Sequence, residues 1–241
     1  MVIGAAVGAI AGALIYTATT IASGREWDNG DLLVSAATGA VGGALIGTGF
    51  GASAGIAAFA AMGAGTGILG SQAGYSLTSG TSYNSGEMVI NAGVGGVTGS
   101  ISGAVLGGVG IGMVGRPAWA IAEASTKVMI ANAMINGAGS TAQYELMERY
   151  NGRDPTWGGR GMAFASGGAS SIIMDGLMGT GIDSKAMKSF FTSEQPYYSL
   201  FINGHPSGLT RYLFQEAVSQ GIRTTSTDLT TRFLTPLITP R

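Results

Sequence analysis

Glycine recurs at every fourth position in the stretch NGDLLVSAATGAVGGALIGTGFGASAGI, at Gly39, Gly43, Gly47, Gly51 and Gly55. Steps of four residues stay on one face of an α-helix, so this spacing cuts a groove free of side chains. Such a helix is weak alone, because each glycine costs roughly 1 kcal/mol relative to alanine. The stretch therefore requires a neighbouring helix whose backbone approaches closely enough to fill the groove. That is the small-xxx-small packing typical of helices in lipid. On this reading the groove accepts alanine at Gly43 with little effect and is blocked by leucine.

The pattern is repeated. Residues Trp27 to Ala36, WDNGDLLVSA, align without a gap with Tyr83 to Ala92, YNSGEMVINA, and a second ladder follows at Gly95, Gly99, Gly103 and Gly107. A weaker third copy begins at Trp157 and runs through GGRGMAFASGGASSIIMDGLMG, while the opening segment carries only Gly4, Gly8 and Gly12. Internal repetition is a stronger fold signal than composition. The expected fold is all-α: repeated glycine-zipper helical hairpins, insertable into a membrane as a bundle, with a small helical C-terminal tail. The zipper region covers residues 1–182, with copies near 27–56, 83–112 and 157–181. Lysines and paired aromatics then replace the ladders in a small region at 183–241.

Composition narrows the function classes. Charged residues make up 10% of the chain and the formal net charge is −1, so there is no basic footprint for nucleic acid. Forty-three glycines at a period of four exclude collagen, and the hydrophobic content excludes a disordered chain. Absence of cysteine removes disulfides, a thiol nucleophile and a cysteine zinc site. Gly65–Gly70 and Gly110–Gly115 both match G-x-G-x-x-G, but neither follows a strand pattern and chance matches are expected at this glycine content. No cofactor and no metal is expected. The one catalytic candidate is His205, a general base if Ser207, Glu194 or Glu216 comes near it. A turn histidine before Pro206 is the preferred reading.

Local signals divide the chain further. Asp28 is placed to cap one helix and Asn84 or Ser85 the next. The uncharged run from Leu32 to Gly86 is too long for one helix, and a break is expected near Gly63–Gly67 or Ser79–Gly80. Pro117 suits the first position of a helix over about 117–149. Residues 207–220 read as an amphipathic helix stopped by Gly221, and Arg223–Thr227 as a capping loop before Asp228. Asn132 and Asn136 are either interhelical hydrogen-bonding groups or a solvated strip. Asp175 is a lone charge among Ile172, Ile173, Met174 and Leu177, costly in lipid unless it meets water. Insertion of residues 33–55 is marginal: Leu33, Val34, Val41, Leu45, Ile46 and Phe50 contribute about −2 to −4 kcal/mol before the polar residues are counted. Such a segment can stay packed in a bundle and enter a bilayer when released.

The runs VIGAAVGAIAGALIY, WDNGDLLVSAATGAVGGALIGTG and ILGSQAGYSLTSGTSYNSGEMVINAGVGGVTGSISGAVLG resemble the glycine-zipper pre-toxin region that follows the repeat core in bacterial Rhs/YD-repeat polymorphic toxins. The likeness covers about residues 2–110, with an echo at 155–181. It implies a delivered effector acting at a target-cell membrane, a cognate immunity protein and enclosure by the Rhs/YD-repeat shell. It transfers no active-site residue. The expected function is membrane permeabilisation by the zipper helices, without enzymatic activity and with self-association as a further partner mode. The alternative is a translocation or packing module carrying a small enzymatic tail at 183–241, and a scaffold that plugs the shell is the third reading.

Overall fold

The computed structural model describes residues 2–51, 55–113, 116–178, 201–202, 205–206, 208–230 and 232. Its elements are α1 (Val2–Ser23), α2 (Asn29–Gly51), α3 (Ile56–Ser79), α4 (Ser85–Met113), α5 (Ala118–Tyr150), α6 (Trp157–Met178), the short strands β1 (Phe201–Ile202) and β2 (His205–Pro206), and α7 (Gly208–Leu229). A 3-10 turn at Gly80–Ser82 joins α3 to α4. The architecture is helical, as the ladders imply, with one departure: Phe201 pairs with Pro206 and Ile202 with His205 in a minimal antiparallel ribbon. The composition boundary at 182/183 lies outside the described residues.

Helices α1 and α2 pack antiparallel, with Gly4 opposite Gly43 and Gly47, Gly8 opposite Gly39 and Gly43, and Gly12 opposite Ser35 and Gly39. A Cβ placed on Gly8 would overlap the carbonyl oxygen of Gly39, and one on Gly43 would overlap that of Gly4. Each carbonyl thus faces a Cα–H, a contact worth about 0.5–1 kcal/mol. The same geometry recurs between α3 and α4: Gly63 meets Gly99, Gly67 meets Gly95, and Gly103 and Gly107 lie against Phe59. Alanine at Gly43 is therefore not mild, contrary to the sequence expectation. The obstacle is backbone on both sides and cannot rotate away.

Each of the three turns is fastened by a tyrosine hydroxyl from the preceding helix. Tyr16 Oη accepts the Asp28 N–H at 2.9 Å and donates to the Asp28 carbonyl at 3.0 Å. Tyr75 Oη accepts the Asn84 N–H at 3.0 Å, and Tyr144 Oη the Thr156 N–H at 3.1 Å. The residues so held are helix caps. Asp28 Oδ1 accepts from the Gly30 and Asp31 amides at 2.6 and 3.0 Å. Asn84 Oδ1 accepts from Gly86 and Glu87 at 2.8 and 3.2 Å, and Thr156 Oγ1 from Gly159 at 3.1 Å. The pairs α1–α2, α3–α4 and α5–α6 thus share a tyrosine-held cap at their turns. In the third, Asn132, Asn136 and Ser140 stand where α3 carries Gly63, Gly67 and Ser71.

Four sequence expectations are corrected. The uncharged run breaks at Ser79–Gly80 as expected and also between Gly51 and Ile56, but not at Gly63–Gly67, because Gly63 and Gly67 are buried against α4. The ladder starting at Gly39 accordingly leaves α2 before Gly55, which precedes α3. Pro117 is the residue before α5, extended at ψ 159°, instead of its first helical residue. Finally, α7 continues through Gly221 and the whole 223–227 run, since Gly221 packs on the backbone of α3 at Gly74.

Polar side chains take an unusually large share of the interior, which in a water-soluble protein is filled mainly by large aliphatic residues. The largest fully buried side chains include Arg223, three tyrosines, Gln72, Gln143, Gln220 and Asn91. Meanwhile Ile3, Val7, Ile10, Leu14 and Ile21 point outward from α1, with Ile3 81% exposed. Apolar clusters persist locally, as where Ala58, Phe59, Met62, Leu106, Ala124 and Val128 meet. Helices α1, α2, α3 with its following turn, and α4 are each long and apolar enough to cross a membrane.

The contact geometry predicts opposite responses at two glycines of α4. Gly99→Ala should destabilise the fold by about 1–3 kcal/mol through overlap with the Gly63 carbonyl. Gly93→Ala, with nothing within 4 Å of the added carbon, should be neutral or stabilise by up to about 1 kcal/mol. Unfolding in detergent followed by helical circular dichroism measures both.

Candidate functional site

Helix α7 runs parallel to α3, with Ala217 on Gly70 and Gly221 on Gly74, and touches α4, α5 and α6 as well. It closes α3, α4, α5 and α6 into a ring, and its polar face points inward. At the centre lies Arg223, 1% exposed. Its Nε donates to Gln220 Oε1 at 2.9 Å and Nη1 to Gln143 Oε1 at 3.0 Å. Its Nη2 donates to Ser71 Oγ at 3.2 Å and to Thr224 Oγ1 at 3.3 Å. These acceptors are neutral, so the guanidinium is dispersed over amide and hydroxyl dipoles from α3, α5 and α7. A planar fork with five donors suits this role; a lysine ammonium does not.

The polar axis extends both ways from Arg223. Gln220 Nε2 donates to Asn136 Oδ1 at 3.1 Å and Glu216 Oε1 at 2.9 Å, while its Oε1 lies 3.1 Å from the Thr98 hydroxyl. Asn136 Nδ2 donates to Ser171 Oγ at 3.2 Å, and Asn132 Nδ2 to Asp175 Oδ2 at 3.2 Å. Towards the other end, Thr227 Oγ1 donates to Ser140 Oγ at 2.8 Å. Every helix of the ring supplies at least one member. Asn132 Oδ1, Asn91 Oδ1 and Ser102 Oγ have no hydrogen-bond partner, leaving acceptor and donor capacity inside the bundle. The asparagines are thus interhelical, which settles the choice left open by the sequence. Asp175 is not alone, because Asn132 reaches it.

The axis ends at a charged mouth. Arg232 Nε pairs with Asp228 Oδ2 at 2.9 Å and Nη2 lies 3.8 Å from Glu87 Oε2. A cavity of about 260 Å³ there is lined by Ser82, Glu87, Met147, Asn151, Arg153, Asp228 and Arg232. Burial pushes the Asp228 carboxyl above the ordinary aspartate range, with the Arg232 charge opposing the shift. A separate, apolar groove of about 900 Å³ opens between α4 and α5, bounded by Ile90, Val94, Val97, Ile101, Met134 and Leu146.

The ladder residues fall into three groups. Gly39, Gly43 and Gly47 face α1; Gly95, Gly99, Gly103 and Gly107 face α3; Gly51 ends α2 and Gly55 precedes α3. The backbone of His205 lies in β2, and its side chain is outside the described residues, as are Glu194 and Ser207. Among the described residues no group of three His, Cys, Asp or Glu could hold a metal. Sequence reasoning missed Arg223, Gln220, Gln143 and Thr227. Their signal was present in the spacing of Glu216, Gln220, Arg223, Thr224 and Thr227 on one helical face. The threonine-rich run read as a loop only because its partners lie far away in the chain.

No protein-family model matches the chain, and comparisons with curated proteins and with solved structures give no match. Arg223→Leu would strand Gln143 Oε1 in the interior and remove one of the two donors to Gln220 Oε1 and to Ser71 Oγ. It should cost about 2–4 kcal/mol, at 1–3 kcal/mol for a buried polar group left unpaired and less for each other bond lost. Arg223→Lys should recover little, since one ammonium cannot span those acceptors. Denaturant midpoints in detergent measure both losses.

Proposed function

We propose that the protein is a membrane-active effector that permeabilises target-cell membranes by inserting glycine-zipper helical hairpins. The observation that carries this reading is the burial pattern: many hydroxyl and amide groups and one guanidinium lie inside beside local apolar clusters, while many large aliphatic side chains lie outside. In a bilayer that outer face needs no water-soluble cover, and helix contacts rest on close packing and polar groups as they do here. Helices α1 to α4 have the length and composition to span. The ladders act as zippers that hold the antiparallel pairs together without a hydrophobic driving force. The interior axis around Arg223 gives an inserted assembly a polar route, since ionisable groups within membrane helices mark ion or substrate pathways.

The toxin assignment draws on the resemblance of residues 2–110 to Rhs/YD-repeat pre-toxin regions. On this reading the repeat shell covers the apolar surface before delivery, an immunity protein protects the producer and the lipid membrane of the target cell is the site of action. No enzymatic step is assigned to residues 183–241.

Dye release from phospholipid vesicles tests the reading. The parent chain should release dye, and Gly43→Leu and Gly99→Leu should abolish release while still co-floating with vesicles. His205→Ala should release dye like the parent. Release by both leucine variants at the parent rate would remove the zippers as the functional interface. A chain that neither floats with vesicles nor releases dye would end the membrane reading.

A further inference from the structure

We propose that the end of the bundle carrying the turns at 24–28, 80–84 and 151–156 seats in the headgroup layer of a phospholipid bilayer, anchored by Trp27, Tyr150 and Trp157. The inference rests on the membrane reading above and adds to it a depth, a set of anchors and a lipid class.

The level of the three turns is fixed by the fold. Successive helices alternate in direction, and the Tyr16, Tyr75 and Tyr144 hydroxyls hold their turns in the same way, so all three turns lie at one end. At that level Trp27, Tyr150 and Trp157 are exposed by 50%, 51% and 82%. A ring with an apolar body and one polar atom is poorly placed in water and well placed at a membrane interface, where tryptophan and tyrosine concentrate. Trp27 already uses its indole N–H on Asn29 Oδ1 at 2.8 Å, leaving the ring surface outward.

Cations stand over aromatic rings at the same level. Arg25 lies 4.1 Å from the Tyr83 ring and 4.9 Å from that of Tyr16, and Arg160 lies 4.6 Å from Trp157. Asp28, Glu87 and Asp154 share the same end. This mixture of signs matches a layer that itself carries both, namely zwitterionic headgroups. It gives no reason to require anionic lipid.

The span agrees. Helix α1, with 22 residues, extends about 33 Å from this level, close to the roughly 30 Å of a hydrocarbon core. Trp119, 71% exposed, opens α5 at the opposite end of the bundle, about 46 Å from Tyr150 along that helix and so outside the hydrocarbon core.

The test uses the full chain in phosphatidylcholine vesicles, as three variants each retaining Trp27, Trp119 or Trp157 with the other two changed to phenylalanine. Trp27 and Trp157 should emit at shorter wavelength than in water. Lipids brominated near the headgroup should quench them several times more strongly than lipids brominated at the chain end. Trp27→Ala combined with Trp157→Ala should lower vesicle partitioning severalfold, at unchanged helical content. The proposal is overturned if the variants co-float while both tryptophans emit as in water, or if chain-end bromines quench best. A blue shift that needs no lipid and grows with protein concentration would assign the face to self-association and overturn it as well. Failure to co-float at all would instead identify the membrane reading as the fault.

Discussion

The structure depends on the close approach of glycine Cα atoms to carbonyl oxygens of an antiparallel neighbour. At Gly8 and Gly39, and again at Gly63 and Gly99, each backbone occupies the space a Cβ would need on the other. That contact cannot be supplied gradually, because any side chain on either helix separates both. It explains why so glycine-rich a chain is helical at all. The intrinsic penalty of each glycine is offset only where a partner groove is in register.

The third pair uses the same frame with different chemistry. Asn132, Asn136, Ser140, Ser171 and Asp175 stand where the other pairs have mainly glycine, and hydrogen bonds replace backbone contact. This exchange makes room for α7, which meets the polar seam with Glu216, Gln220, Arg223 and Thr227. A buried guanidinium is tolerated because α3, α5 and α7 deliver neutral acceptors to it. Removing water from an ion is costly, and the ring compensates with these hydrogen bonds, while the nearby Glu216 carboxylate favours the charged guanidinium.

The two halves of the chain therefore divide the work. The first two pairs present aliphatic outer faces and dry glycine seams, suited to lipid. The third pair and α7 build a polar interior and connect it to the charged mouth at Glu87, Asp228 and Arg232. Tyr83 joins the first two pairs, stacking with Arg25 and meeting Ser35 Oγ at 2.8 Å, so the turns behave as one end plate.

The helical class was legible in the sequence, because a period of four acts locally. Asp28 and Asn84 were legible as caps for the same reason: their hydrogen bonds reach only two or three residues. The tyrosine fastening was not, since Tyr16, Tyr75 and Tyr144 sit 12, 9 and 12 residues before their turns and no constant spacing betrays them. Nor was the role of Arg223, whose partners Gln143 and Ser71 lie 80 and 152 residues away. The run around it has the composition of a loop, and only enclosure by the ring turns it into a helix. Local periodicity determined which faces must be covered. Tertiary packing decided what covers them, because a buried polar group is stabilised only by partners that folding brings from elsewhere in the chain.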